Sequence, residues 1–244
     1  MTDATADGVE PGLVVQPIGA RSAVRPIEAR LVSDQVVIEL RRSIVSGQLK
    51  PGEGLSLRKL ADALGVSFIP VRDALKVLET EGLIVNPPGR SATVSPLDLD
   101  ELRGIYRVRL LLEPDLARRA CPDISAAELD RLYDLAGELG RLDRSMADTY
   151  QDHSAFHYGL LRPATSAWDT RILHLLWTAS ERYVRIAFGL LDPDPTEHER
   201  RAEAHRLLVR EYRTGDPTRA GQALWEHLSL NEELATKALS TYSS

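Results

Sequence analysis

Residues 56–79 constrain the fold of this chain more than any other stretch. Apolar residues recur at helical spacing after Ser56, which is a typical helix-start residue, and Gly65 suits a left-handed helix end. A second helical pattern begins at once at Ser67. Two helices joined by a short turn that contains Gly are typical of a helix-turn-helix, whose second helix enters a DNA major groove. The alternative is an ordinary helical hairpin with a solvated basic face.

The residues that follow predict a β-hairpin. Residues 83–86 form a short β-run, residues 87–90 are rich in Pro and Gly, and residues 92–94 can return as a second strand. A hairpin after the second helix makes a winged helix. Arg90, at the tip of this wing, is placed to reach a phosphate or the minor groove.

The same region, residues 33–95, resembles the DNA-binding domain of the GntR family of bacterial transcription regulators. The resemblance rests on Ser46-Gly47-Gln48-Leu49-Lys50-Pro51-Gly52-Glu53, Leu57-Arg58-Lys59-Leu60-Ala61, Leu64-Gly65-Val66-Ser67 with Pro70-Val71-Arg72-Asp73-Ala74-Leu75, and Glu81-Gly82-Leu83. It implies a winged helix-turn-helix that binds double-stranded DNA.

Six residues are expected to contact DNA: Arg58, Ser67, Phe68, Arg72, Lys76 and Arg90. By the resemblance, Arg58 and Arg72 occupy contact positions of the family, and the helix start at Ser67 suits a phosphate. The chain departs from the family pattern at two positions, where Phe68 replaces the usual Arg and Ser91 replaces the usual wing Gly. Because Phe68 cannot donate a hydrogen bond to phosphate or guanine, base recognition is expected to differ here, and Phe68 can instead contact a thymine methyl.

Charge is distributed unevenly along the chain. The formal net charge is −6, yet residues 21–95 carry eleven Lys and Arg against eight Asp and Glu. A local basic footprint is enough for DNA binding. Composition and the Ser95-Pro96 step predict three parts. These are a disordered arm at residues 1–30, the winged helix-turn-helix at 31–95, and an all-α domain for effector binding and dimerisation at 96–244.

The sequence suggests neither a membrane protein nor a secreted one. Its one cysteine, Cys121, fits a reducing compartment. No stretch approaches the roughly 20 apolar residues of a membrane span, and the N-terminus lacks a signal pattern. We therefore expect a cytoplasmic protein without a membrane partner.

Helical patterns dominate from residue 97 onward and predict an all-α bundle, so the fold class is mainly α. Helices are expected at about 97–120, 125–143, 147–161, 168–190, 197–213 and 217–240. Pro114 is expected to kink the first of them. The run from 125 to 161 can divide in more than one way, so the bundle has six or seven helices.

Four histidines fall on apolar faces of these helices. His153 and His157 are one turn apart and point the same way, whereas His205 and His227 lie in apolar stripes of two later helices. Neutral imidazoles that converge in a core suit a divalent metal such as zinc or nickel. The alternative is four core histidines that each form a hydrogen bond with a neighbour.

The bundle resembles the FCD effector domain of the FadR subfamily over residues 97–240. The resemblance rests on Arg107-Val108-Arg109-Leu110-Leu111-Leu112-Glu113-Pro114, Phe156-His157, His205, and the Gly215-Asp216 turn with His227. In metal-binding members it implies an Asp or Asn ligand followed by three histidines. The histidines match, but His153 stands at the position of the first ligand, with Asp152 beside it as the alternative.

The same resemblance implies a small carboxylate effector beside the metal. Arg109 is the expected contact, because a planar guanidinium suits a carboxylate. The alternative role for Arg109 is a surface ion pair with Glu113, one helical turn away. Four neutral ligands would leave the charge of the metal uncompensated, which also favours an anionic effector.

Together these features predict a ligand-responsive transcription regulator, a repressor in our interpretation, which binds a palindromic operator as a homodimer. We expect no enzyme, because no acid stands at a fixed offset as in a His-Glu-x-x-His arrangement. Three alternatives stay open. They are a metal sensor without an organic effector, a structural metal with an effector elsewhere, and a helical-bundle metalloenzyme with an accessory DNA-binding head.

Overall fold

The computed structural model describes residues 30–87, 89–141, 143, 146–191 and 195–242. Its elements are α1 (Arg30–Val45), β1 (Gly54–Leu55), α2 (Leu57–Leu64), α3 (Phe68–Thr80), β2 (Ile84–Val85), β3 (Ala92–Val94), α4 (Leu99–Ala120), α5 (Ala126–Glu138), α6 (Met146–Leu161), α7 (Ala167–Leu191), α8 (Pro195–Arg213) and α9 (Pro217–Tyr242). A winged helix-turn-helix is thus followed by an all-α bundle, as predicted. The predicted N-terminal arm lies outside the described residues, apart from Arg30 at the start of α1.

Local signals in the helix-turn-helix act as the sequence predicts. The Ser56 hydroxyl accepts a hydrogen bond from the backbone N–H of Lys59 at 3.4 Å and so caps α2. Gly65 ends α2 with φ of 65°, a conformation that other residues adopt only with strain. The apolar faces of α1, α2 and α3 then pack with the sheet into one core, in which Val71 and Leu78 are fully buried.

The wing is part of a three-stranded antiparallel sheet in the order β1-β3-β2. Gly54 pairs with Thr93, and Ile84 pairs with Val94. The strand β1 was not predicted from the sequence, because two residues are too few for a periodic signal. It ties the segment before the helix-turn-helix to the wing.

The bundle has six α-helices in the part of the chain that the structure describes, and α4 packs most extensively against α9. The helix α4 continues through Pro114 as one element. The helix α5 ends at Glu138, earlier than the predicted 143, and the chain passes close to α8 just beyond it. A Cβ at Gly140 would lie 2.7 Å from the Cβ of Ala202. Among the described helices, none has both the length and the apolar character that crossing a membrane requires.

Side chains of α7 hold the segment that joins the winged helix to the bundle. Arg182 donates from Nη1 to the carbonyl oxygen of Ser95 at 3.2 Å, and the Tyr183 hydroxyl accepts from the backbone N–H of Asp98 at 3.2 Å. Both side chains also hydrogen-bond to the carboxylate of Glu101. A helix of the bundle therefore fixes the start of α4 and the linker together.

Candidate nucleic-acid interface and metal centre

The helix α3 has one buried face and one exposed face. Its buried residues are Val71, Ala74, Leu75 and Leu78. Ser67, Phe68, Arg72 and Lys76, all predicted to contact DNA, are exposed. The Ser67 hydroxyl makes no capping hydrogen bond, so it is available to a phosphate. This exposed face is the one that a recognition helix turns to the bases.

The other two predicted contact residues lie on neighbouring elements. Arg58 is exposed on α2, and Arg90 is exposed in the turn between β2 and β3. Lys76 forms an ion pair with Asp73 at 3.8 Å, but an exposed pair of this kind is weak and leaves the ammonium able to meet a phosphate. Ile69 is exposed on α3 and was not among the predicted contact residues. In the sequence it is an apolar residue that falls outside the stripe of residues that face the core.

Four histidines from α6, α8 and α9 meet in the core of the bundle. They are His153, His157, His205 and His227, and their candidate ligand atoms all lie within 4.8 Å of one another. The Nε2 atoms of His153 and His157 are 3.2 Å apart. Four nitrogens that would hold a metal tetrahedrally at about 2.0–2.1 Å lie about 3.3 Å apart, so the pair of His153 and His157 already has this spacing and the more distant ligand atoms would have to move closer. The group includes His153 and not its neighbour Asp152.

Burial keeps these imidazoles neutral. It holds the pKa of His153, His157 and His227 well below the ordinary value, and the neighbouring histidines lower it further. Burial likewise lowers the pKa of His205 to about 4. A neutral imidazole keeps the lone pair that a metal requires.

The ring nitrogens of the cluster differ in their partners: Nε2 of His157 lies against Nε2 of His153, and Nε2 of His227 lies 3.1 Å from Nδ2 of Asn231. The Nδ1 atom of His205 lies 2.7 Å from the carbonyl oxygen of Arg201, so Nδ1 carries the proton and Nε2 keeps its lone pair. Metal-binding histidines are commonly oriented by such a bond. Within the described residues, Nε2 of His205 and Nδ1 of His157 are buried without a hydrogen-bond partner. Because unsatisfied buried polar atoms are costly, a divalent ion fits this donor set.

Arg109 lies beside the cluster in a buried ion pair. Its Nε donates to Glu113 Oε1 at 2.6 Å, and its Nη1 donates to the Ser180 hydroxyl at 3.2 Å. Glu113 also accepts from the indole N–H of Trp177 at 3.0 Å. Arg109 is 3% exposed and Glu113 is 0% exposed. The pairing left open as an alternative is therefore present, but in the core rather than at the surface.

Two cavities adjoin the histidine cluster. The first is lined by Arg109, Tyr150, His153, Ser154, His157, Trp177, Ser180, Glu181 and Val184. The second is lined by Glu197, Arg200, Arg201, Ala204, His205, His227, Leu230, Asn231 and Leu234. Two of the four histidines line each cavity, so an ion held by the cluster would adjoin both cavities. Ser180 and Glu181 were not foreseen, since only packing brings α7 to this site.

The chain matches two protein-family models. Residues 32–94 match the model described as bacterial regulatory proteins, gntR family, and residues 104–230 match the FCD domain. The first match covers the winged helix and its exposed α3 face. The second covers the helices that carry the four histidines and Arg109.

Proteins similar to this chain in sequence are named as transcription regulators. The chain is 31% identical to an uncharacterized HTH-type transcriptional regulator, BphR of Paraburkholderia xenovorans (strain LB400), over 66% of this chain and 69% of that protein. It is 28% identical to the gluconate operon transcriptional repressor of Bacillus licheniformis, over 75% of this chain and 76% of that protein. The structure of E. coli McbR/YncC matches with a TM-score of 0.72 and 22% identity, over 84% of this chain and 97% of that chain, which supports the fold alone. The chain therefore belongs to the GntR family of bacterial regulatory proteins, and it is a DNA-binding transcription regulator with an FCD domain rather than an enzyme.

Proposed function

We propose that this regulator is a ligand-responsive repressor that binds a palindromic operator as a homodimer. In this proposal His153, His157, His205 and His227 hold a divalent metal, zinc or nickel, and Arg109 contacts a small carboxylate effector. The observation that carries the proposal is the buried four-histidine cluster between two cavities. The relative from Bacillus licheniformis is named a repressor, which supports the same direction of control here.

The charges around the cluster support an anionic effector. A bound metal supplies a Lewis-acidic centre for a carboxylate oxygen. All four imidazoles are neutral, and the charge of Glu113 is already offset by Arg109 at 2.6 Å. The ion would therefore keep most of its positive charge in a buried setting, where an anion is strongly attracted.

Arg109 has donors left for such an effector. A guanidinium carries five N–H groups, and the bonds to Glu113 and Ser180 engage three of them. The side chain lines the first cavity together with His153 and His157. A carboxylate in this cavity can therefore contact the metal and Arg109 at once.

The helix α7 connects this cavity to the DNA-binding domain. Ser180 and Glu181 line the cavity, whereas Arg182 and Tyr183 hold the interdomain linker. Glu181 also lines a groove beside α1, next to Arg41. An effector that favours one position of α7 would bias the placement of the DNA-binding domains. It can change operator affinity only by its differential affinity for the two arrangements.

Operator release is the direct test of this function. With the metal-loaded protein on an operator selected from random duplexes, we expect a small carboxylate to release the DNA in a mobility-shift titration. Arg109→Lys keeps the charge but loses the planar fork, so it should require about 10- to 100-fold more carboxylate. Arg103→Lys, at an exposed position of α4, is the matched control. Release by metal alone would support the metal sensor instead, and no release by any carboxylate would contradict the proposal.

An exposed apolar face supports the homodimer. The helices α4 and α7 are in contact, and each carries exposed large apolar side chains, which are Val108, Leu111, Trp168, Ile172 and Leu175. Leu111 is 75% exposed and Trp168 is 69% exposed. Contiguous exposed apolar surface commonly marks a protein interface. A second copy that presents the same face would bury both surfaces about a two-fold axis and would set the spacing of two recognition helices.

Placing a charge on this face should separate the subunits. Leu111→Glu is expected to convert the dimer into a monomer, because an unpaired carboxylate at an apolar interface is costly. Light scattering after size-exclusion chromatography gives the mass of the particle. Leu207→Glu, at an exposed position of α8 outside this face, should remain dimeric. A Leu111→Glu variant with the wild-type mass would place the interface elsewhere.

A further inference from the structure

The recognition helix α3 begins with two exposed apolar side chains. Phe68 is 49% exposed and Ile69 is 69% exposed. Neither belongs to the buried face of α3, so neither is needed to hold the helix on its domain. Large apolar side chains that face water on a functional surface commonly mark a contact with a partner.

The surroundings of this pair point to DNA as the partner. Arg72 lies one turn further along α3, Arg58 is exposed on α2, and Arg90 is exposed in the wing. An exposed apolar pair with a cation one turn away on the same helix suits a major groove, which is bordered by phosphates and floored by base edges. The apolar group that base pairs present in that groove is the 5-methyl of thymine.

We propose that Phe68 and Ile69 read thymine methyl groups in the operator. The side chains lie at the start of the recognition helix, where residues reach base edges. Arg72 then reads a neighbouring base by hydrogen bonds, while the apolar pair selects A·T pairs by contact with the methyl. An Arg at position 68 would instead prefer the acceptor edge of guanine. This chain is therefore expected to recognise a different operator from relatives that carry Arg there.

The test removes only the methyl group. Full-length protein first selects its operator from a pool of random duplexes, and each thymine of a half-site is then replaced in turn by deoxyuridine. At one or two positions we expect the affinity to fall about fourfold, which corresponds to the burial of one methyl group. The remaining replacements should leave the affinity unchanged. Mobility-shift titrations at one fixed salt concentration measure the difference.

Two variants identify the residues that read the methyl. In the double variant Phe68→Ala with Ile69→Ala, duplexes with thymine and with deoxyuridine should bind equally. Val77→Ala is the matched control, since Val77 is also exposed on α3 but lies two turns further on. It should retain the fourfold difference. Equal binding of both duplexes by the wild-type protein would overturn the proposal. A difference that persists in the double variant would assign the methyl contact to other residues and would overturn it too.

Discussion

Replacing Arg72 with alanine is expected to lower specific operator affinity about 10- to 100-fold for each recognition helix, while the fold stays intact. Arg72 is exposed in the second turn of α3, on the face opposite the buried stripe. A guanidinium in this position can donate two hydrogen bonds to one guanine, a contact worth about 1–3 kcal/mol. In a dimer the loss applies at both half-sites. Because the side chain packs against no core, the free energy of unfolding should change by less than about 0.5 kcal/mol.

Mobility-shift titration at fixed salt distinguishes this loss from a general loss of charge. Lys76→Ala is the matched control on the same face, since it also removes one positive charge. It should weaken specific and non-specific binding alike and reduce the salt dependence by about one charge. Arg72→Ala should instead reduce the preference for operator over random DNA. Unchanged operator affinity in Arg72→Ala would show that α3 does not read the bases through this residue.

Much of the fold was predictable because local signals agree with the tertiary structure. Ser56 caps the start of α2 and Gly65 ends it, as the sequence predicted. The apolar stripe of α3 is its buried face. The strand β1 was missed, since Gly54 and Leu55 form a strand only by pairing with β3. The end of α5 was misplaced for a similar reason, because the close approach of Gly140 to α8 is a feature of packing.

In the candidate site, too, some features could be predicted from the sequence and others depend on packing. The four histidines could be found from sequence, because each lies in an apolar helical stripe and such stripes face the core. The contacts that α7 makes with Arg109 and Glu113 could not be predicted from the sequence. Ser180 and Trp177 are more than sixty residues away and reach Arg109 and Glu113 only when α7 packs on α4. Ile69 was not predicted to contact DNA, because a single apolar residue outside a helical stripe was given no role.

Replacing His205 with alanine is expected to abolish stoichiometric metal binding. The backbone carbonyl of Arg201 holds Nδ1 at 2.7 Å and leaves Nε2 buried with its lone pair. The ring of His205 is therefore already oriented for a metal. Loss of an orienting partner alone typically costs about 10- to 100-fold in metal affinity, so loss of the ligand itself should cost at least about 100-fold. Elemental mass spectrometry of untagged protein gives the metal content per chain.

A stability measurement separates loss of the metal from damage to the core. Added zinc or nickel should raise the melting temperature of the wild-type protein, because a ligand that binds only the folded state stabilises it. The variant should show no such rise, even if its melting temperature without metal is lower. His174→Ala is the matched control, since His174 is exposed on α7 outside the cluster, and it should keep both the metal and the rise. Full metal content in His205→Ala would show that the ligand set is wrong. A wild-type protein that takes up no metal would make the four histidines an ordinary core, and the effector would then have to be one that binds without an ion.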